Sequence, residues 1–168
     1  MTRRLARAVS DLVCRRSLLR ALGFAGFVLA VPSVAEAIAQ EPAASPAESA
    51  AVRAVVQGFK DALAAGDSTA ALGYLHPDLV VYEGGHAESL AEYRAGHLAA
   101  DMEFAAAVET TALEQGVIVR SDMALWVSES ESKGEFRGRP IDSHGTETIV
   151  LIPTDAGWKI LHVHWSSR

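Results

Sequence analysis

Cysteine occurs once in the 168 residues, at Cys14, and that scarcity removes several chemistries together. Beyond residue 39 the chain can form no disulfide and offers neither a thiol nucleophile nor a cysteine metal ligand. It also lacks a glycine-rich phosphate loop, a dinucleotide fingerprint, a serine nucleophile elbow and an HExxH zinc motif. Positive charge is scarce as well. Six of the 15 basic and two of the 21 acidic residues fall in the first 39, leaving 9 against 19, a net of −10, in the remainder. An acidic domain of this kind is a poor partner for nucleic acid or an anionic membrane.

What is present begins with an address. Arg3, Arg4 and Arg7 precede Cys14-Arg15-Arg16-Ser17-Leu18-Leu19-Arg20, an apolar run from Ala21 to Val31, and Ala37-Ile38-Ala39 before Gln40. A basic region, a short apolar region and an A-x-A pattern read as a cleaved export signal over 1–39, and the paired arginines resemble the twin-arginine type. The apolar run is shorter than the roughly 20 residues of a spanning helix, so no stable membrane insertion is expected after cleavage. The mature domain is expected to be exported, periplasmic or secreted. Residues 40–46 read as an Ala/Pro linker, and 47–168 as one domain.

Within that domain the pattern changes from helix to strand. Ser45-Pro46-Ala47-Glu48 gives a serine cap, a proline at the first helical position and a capping-box glutamate. Val52, Val55, Val56, Phe59 and Leu63 follow at helical spacing up to Gly66. A short second helix is expected through Leu72 and Leu75, ending at His76-Pro77, and then a strand over 79–83 closed by Gly84-Gly85. Ser89 and Glu92 form another capping box, opening a helix to about Met102 with Leu90, Tyr93, His97 and Leu98 along one side. Strands are expected over 104–119, 123–132 and 141–152, and a last one over the closing WKILHVHWSSR. There, alternation puts Leu161, Val163 and Trp165 on one face and Ile160, His162, His164 and Ser166 on the other. Helices followed by an antiparallel sheet indicate an α+β domain.

The order of these elements, with AxxAVVQGFKDALAAGD, LHPDLVVYEGG, GTETIVL and GWKILHVHWS, resembles the nuclear transport factor 2-like superfamily. Within it, the SnoaL-like group and the calcium/calmodulin-dependent kinase association domain, whose last strand also carries H-x-H-x-S, are most similar. The resemblance implies a cone-shaped curved antiparallel sheet with about three N-terminal helices on its concave face, a small organic ligand as partner, no cofactor, and a homodimer through the sheet's outer face. The ketosteroid isomerase-like members place a general-base carboxylate at the end of their first strand, and Glu83 matches it. Their oxyanion-binding tyrosine falls on Phe59 and their second donor near Thr146, so neither donor is kept. Losing one such donor costs about 100- to 1000-fold in rate, which argues against isomerase chemistry of that type. The aromatic that such proteins point into the cone is matched by Trp165.

Candidate site residues follow. Glu83 reads as a proton-transfer carboxylate beside an apolar strand, or as a strand-end glutamate paired with Arg94. His86 reads as its near neighbour or as a plain loop histidine. His97 stands four residues before Asp101, a spacing that suits metal ligation or a carboxylate orienting an imidazole. Glu83 and His97 are the catalytic candidates should the chain be an isomerase- or dehydratase-like enzyme. Phe59, His86, Tyr93, His144 and Trp165 are the ligand-binding candidates. No metal is expected, the alternative being His162 and His164, which share one face of a strand. A non-catalytic assembly domain is the remaining alternative.

Overall fold

The computed structural model describes residues 45–168, so the expected signal over 1–39 and most of the linker lie outside the described residues. Helix α1 (Pro46–Ala64) starts at the expected capping box: the Ser45 side chain accepts from the Glu48 N–H while the Glu48 carboxylate accepts from the Ser45 N–H. Its buried stripe is Val52, Val56, Phe59, Ala62 and Leu63. Asp67 caps the short α2 (Ser68–Gly73), which ends before Leu75 because the chain there is already extended into strand β1 (Leu75–Glu83). His76 and Pro77 therefore belong to the strand and not to a helix end. Gly84 and Gly85, at φ 56° and 81°, form the two-residue turn to β2 (His86–Ser89), a left-handed pair that glycine adopts without strain.

A second capping box at Ser89 and Glu92 opens α3 (Leu90–Glu92), which continues through a π-helical turn at Tyr93–His97 into α4 (Leu98–Ala107). Phe104 to Ala107, expected in a strand, are helical, and β3 runs over Val108–Val119. β4 (Ala124–Phe136), β5 (Arg139–Thr154) and β6 (Gly157–Ser167) complete the domain, each reaching further than turn residues alone suggest. The result is an α+β fold with a six-stranded curved, unclosed sheet in the order β2-β1-β6-β5-β4-β3.

Two features correct the expectation of a uniformly antiparallel, alternating sheet. β6 pairs with β1 in parallel, because the helical segment between them carries the chain from one side of β1 to the far end of the sheet. The strict alternation of β6 also breaks at Leu161. Val150 faces His162 but Leu151 faces Ile160, leaving Leu161 as an extra residue, a β-bulge. Ile160, expected on the histidine face, is consequently buried together with Val163 three residues later. The core lies between the helices and one sheet face. Across it, Val81, Val163, Ile149 and Trp126 make one lateral row of register partners, all of them buried.

The bulge sets an order of cost within β6. Ile160→Ala should destabilise the domain by about 2–4 kcal/mol, and Leu161→Ala by roughly 1 kcal/mol or less. Urea unfolding of both variants checks this, and the reverse order would remove the bulge.

Candidate functional site

One step along the sheet from the buried apolar row, the same helix-covered face turns polar. Glu83 on β1 is the register partner of Trp165 on β6, Trp165 of Glu147 on β5, and Glu147 of Ser128 on β4. Two clusters grow from this row.

The first gathers round Glu83. The glycine turn ends β1 at that residue, and the π turn, whose Leu98 N–H reaches back to the Tyr93 carbonyl, sets His97 opposite it. A π turn carries one more residue than an α turn and re-aims the side chains it bears, so the helical spacing that nominated His97 did not fix its direction. His97 Nε2 lies 3.0 Å from Glu83 Oε2 and 3.4 Å from Asp101 Oδ1, while Nδ1 lies 3.0 Å from Glu88 Oε2. The Tyr93 hydroxyl donates to Asp101 Oδ2 at 2.8 Å. One imidazole is thus enclosed by three carboxylates, and none of the three forms an ion pair with lysine or arginine among the described residues. Arg94, a possible partner of Glu83, makes no such pair.

Electrostatics follow from that crowding. Burial pushes the Asp101 carboxyl up to about 6, against the Tyr93 hydrogen bond and the His97 charge, which lower it; repulsion from Glu83 and Glu88 adds to the rise. For His97, burial works against the charged imidazole, but Asp101, Glu88 and Glu83 outweigh it and hold the ring above its ordinary value. Burial and the neighbouring Asp101 push the Tyr93 phenol far above its usual range, so it stays a hydrogen-bond donor. Chemically, the group can pass a proton between imidazole and carboxylate. Glu83, His97 and Asp101 also present ligand atoms within 4.8 Å of one another, a donor set able to take a metal ion.

Of the other candidates, Tyr93 alone hydrogen-bonds to this group. Phe59 and Tyr93 have 1% and 0% exposure, so their rings fill the core and wall no open space. Trp165 is half-buried beside Glu83 and Glu147. His86 is exposed at the hairpin turn opposite Glu83. His144, a ligand-binding candidate, has the outward parity of β5 and pairs with Glu131 Oε1 at 3.5 Å, and its neighbours Ser143 and Gly145 take the inner face. His162 and His164 flank Tyr82 in edge-on ring contacts on the outer face, and His162 Nδ1 lies 2.9 Å from the Val80 carbonyl. A groove of about 530 Å³ lies away from the polar cluster, between α1, α2 and the β5–β6 turn, with Val55, Tyr74 and Trp158 in its lining.

The second cluster centres on Glu147, which spacing alone did not single out. One of its oxygens accepts from Lys60 Nζ at 2.6 Å, Trp126 Nε1 at 2.8 Å and Ser128 Oγ at 3.1 Å, and the other from Trp165 Nε1 at 2.9 Å. Burial raises the pKa of this carboxylate, but Lys60 and the two indoles more than compensate and hold it below its ordinary value. Arg53 and Lys60 both lie over the Trp126 ring, 5.6 and 5.5 Å from its centroid. The one sequence signal was an acidic residue in a GTETIVL strand at inward parity.

The model of the SnoaL-like domain family matches residues 52–168. Comparison with curated proteins finds no match. Among solved structures, a candidate ketosteroid isomerase from Shewanella frigidimarina is 40% identical, with a TM-score of 0.66 over 69% of this chain and 94% of that one. A CaMKII hub from S. rosetta is 24% identical, with a TM-score of 0.61 over 74% of this chain and 98% of its own. A candidate dehydratase of the NTF2-like family from Streptomyces avermitilis is 17% identical, with a TM-score of 0.62 over 73% and 97%. The last two speak for the fold alone.

Because its folded pKa is lowered, Glu147 contributes stability that is fully present above the ordinary glutamate range and lost as pH falls through the folded value. Glu147→Gln should cost about 1–2 kcal/mol at neutral pH, and the gap to the parent should close in acid. Denaturant titrations at both ends of that range check it, and a gap independent of pH would contradict the charged role.

Proposed function

Since the chain belongs to the SnoaL-like family, we propose that it is an exported domain that binds a small, partly apolar organic ligand on the helix-covered face of its sheet, with Glu83, His97 and Asp101 as the polar end of the site. The observation that carries this reading is the imidazole of His97 held between Glu83 and Asp101 at 3.0 and 3.4 Å, with these side chains between 19% and 40% exposed. Core atoms of a small domain are sealed; a hydrogen-bonded acid and base left partly open beside a tryptophan is what a ligand hydroxyl or carbonyl needs. Glu83 is the group placed to exchange a proton with such a ligand, with His97 as its partner. The Shewanella relative's description as a candidate ketosteroid isomerase supports proton-transfer chemistry of this general class. Phe59 in the position of an oxyanion donor speaks for a ligand other than a ketosteroid.

2-Naphthol, which joins an apolar ring to one weakly acidic hydroxyl, probes the site through quenching of tryptophan fluorescence. It should bind the parent protein and bind Glu83→Gln at least about tenfold more weakly, the scale of one charged hydrogen bond. Equal affinity in the variant sinks the role of Glu83, and no binding at the solubility limit sinks the ligand reading.

Assembly through the outer face belongs to the same proposal. Val80 and Tyr82 on β1, Ile118 on β3 and Val127 on β4 are exposed apolar residues, at 37%, 46%, 47% and 40%, on the sheet face that also carries His162 and His164. Patches of this kind on a single protein mark interaction sites, and the likeness to CaMKII hubs is in keeping with a role in assembly. Expression of the full gene in a bacterium should yield a periplasmic chain beginning at Gln40 that light scattering sizes as a dimer, with Tyr82→Asp/Val127→Asp monomeric. A cytoplasmic chain with its leader intact would overturn the export reading, and a dimer unaffected by the pair would overturn this interface.

A further inference from the structure

We propose that Glu83, His97 and Asp101 form a binding site for a divalent cation of the zinc or manganese class. The three donors come from separate parts of the chain: Glu83 from the end of β1, His97 from the last position of the π turn, and Asp101 from the first turn of α4. Their spacing is the first argument. His97 Nε2 stands 3.0 Å from Glu83 Oε2 and 3.4 Å from Asp101 Oδ1, and one ligand atom of each falls within 4.8 Å of the others. An ion bonded to nitrogen and oxygen at about 2.0–2.2 Å holds adjacent ligands roughly 3.0–3.4 Å apart round a tetrahedron or octahedron. The His97–Glu83 and His97–Asp101 pairs already stand at the separations of two edges of a coordination shell, and the Glu83–Asp101 edge lies within 4.8 Å.

The second argument is what stands behind them. Glu88 engages His97 Nδ1 at 3.0 Å, so Nε2 is the nitrogen turned to the other two ligands. Tyr93, fully buried, holds Asp101 Oδ2 at 2.8 Å and leaves Oδ1 to point at His97. A carboxylate behind a ligating histidine and a hydroxyl behind a ligating carboxylate are the supports that fix ligands in metal sites. Charge is the third argument. Three carboxylates surround one imidazole with no lysine or arginine paired to them among the described residues, so even a protonated ring leaves the group negative. A divalent ion supplies the charge that the imidazole cannot. One imidazole with two carboxylates suits zinc or manganese and not a thiophilic ion, and three protein ligands leave positions open for water or a ligand oxygen.

This deepens the ligand-binding reading, since it rests on the same location and puts a cation at the polar end of that site. With the ion bound, Glu83 and His97 give their lone pairs to it, and the site grips a ligand oxygen there instead of exchanging a proton with it.

Untagged full-length protein, stripped with EDTA and dialysed, is titrated calorimetrically with zinc chloride and, separately, with manganese chloride. One ion should bind per chain and raise the melting temperature. Asp101→Asn should abolish binding, Glu88→Gln should weaken it at least about tenfold, and His162→Gln/His164→Gln should leave it unchanged. Circular dichroism verifies the fold of each variant, and if Asp101→Asn does not fold, the Glu88→Gln result decides. The absence of both heat and a melting shift at about 1 mM of either ion overturns the proposal. So does binding that Glu88→Gln leaves intact, or binding lost with His162 and His164. 2-Naphthol titrations in the same buffers separate the two readings. Naphthol binding without ion binding overturns the cation site and keeps the ligand site, whereas ion binding without naphthol binding does the opposite.

Discussion

The carboxylate of Glu147 is the tie on which the arrangement depends. It is a nearly buried charge on a central strand, and it persists there because four donors from α1, β4 and β6 converge on its two oxygens. Removing a charge from water is costly, and only dense hydrogen bonding with an opposite charge offsets it. Lys60 supplies that charge from the helix, so the same interaction that makes Glu147 tolerable also fixes α1 over the sheet. Trp165, held through its indole N–H, then occupies the middle of the polar row, and its other register neighbour is Glu83.

On the far side of Trp165 the balance is reversed. Around Glu147 a lysine, two indole N–H groups and a serine hydroxyl meet one carboxylate; around His97 three carboxylates meet one imidazole. The first cluster is satisfied and mechanical. The second is left with surplus negative charge, a raised carboxyl at Asp101 and partial exposure, and such imbalance is what binding and catalytic sites share. The first holds the scaffold still, and the second is the one to which the proposed binding role is assigned.

How much of this was legible in the chain varied with the range of the interaction that decides it. Both capping boxes, the glycine turn after Glu83 and the apolar stripe of α1 depend on residues three or four apart, and they stand where local pattern puts them. The α+β class and the family resemblance rest on the order of such elements. The bulge at Leu161, the parallel pairing of β1 with β6 and the outward parity of His144 are settled by the register against neighbouring strands, and no local period encodes them. Within the polar cluster, His97 and Asp101 were visible as a helical pair, whereas Glu88 was not, because a π turn and a hairpin together bring it to Nδ1. Glu147 escaped notice for a related reason: its partners Lys60, Trp126 and Trp165 are separated from it by 87, 21 and 18 residues.

The place of β6 has a consequence for the order in which the molecule comes together. The strand nearest the end of the chain is not at the rim of the sheet but in its interior, between β1 and β5. Until it arrives, the β1–β2 hairpin and the β3–β5 meander share no hydrogen-bonded border, and each presents to its surroundings the open edge that β6 is meant to fill. Such edges invite wrong partners. A ribosome releases β6 after the other five strands, so the nascent domain carries two unfinished half-sheets until β6 emerges, and it becomes a single cooperative body only once that strand is in place.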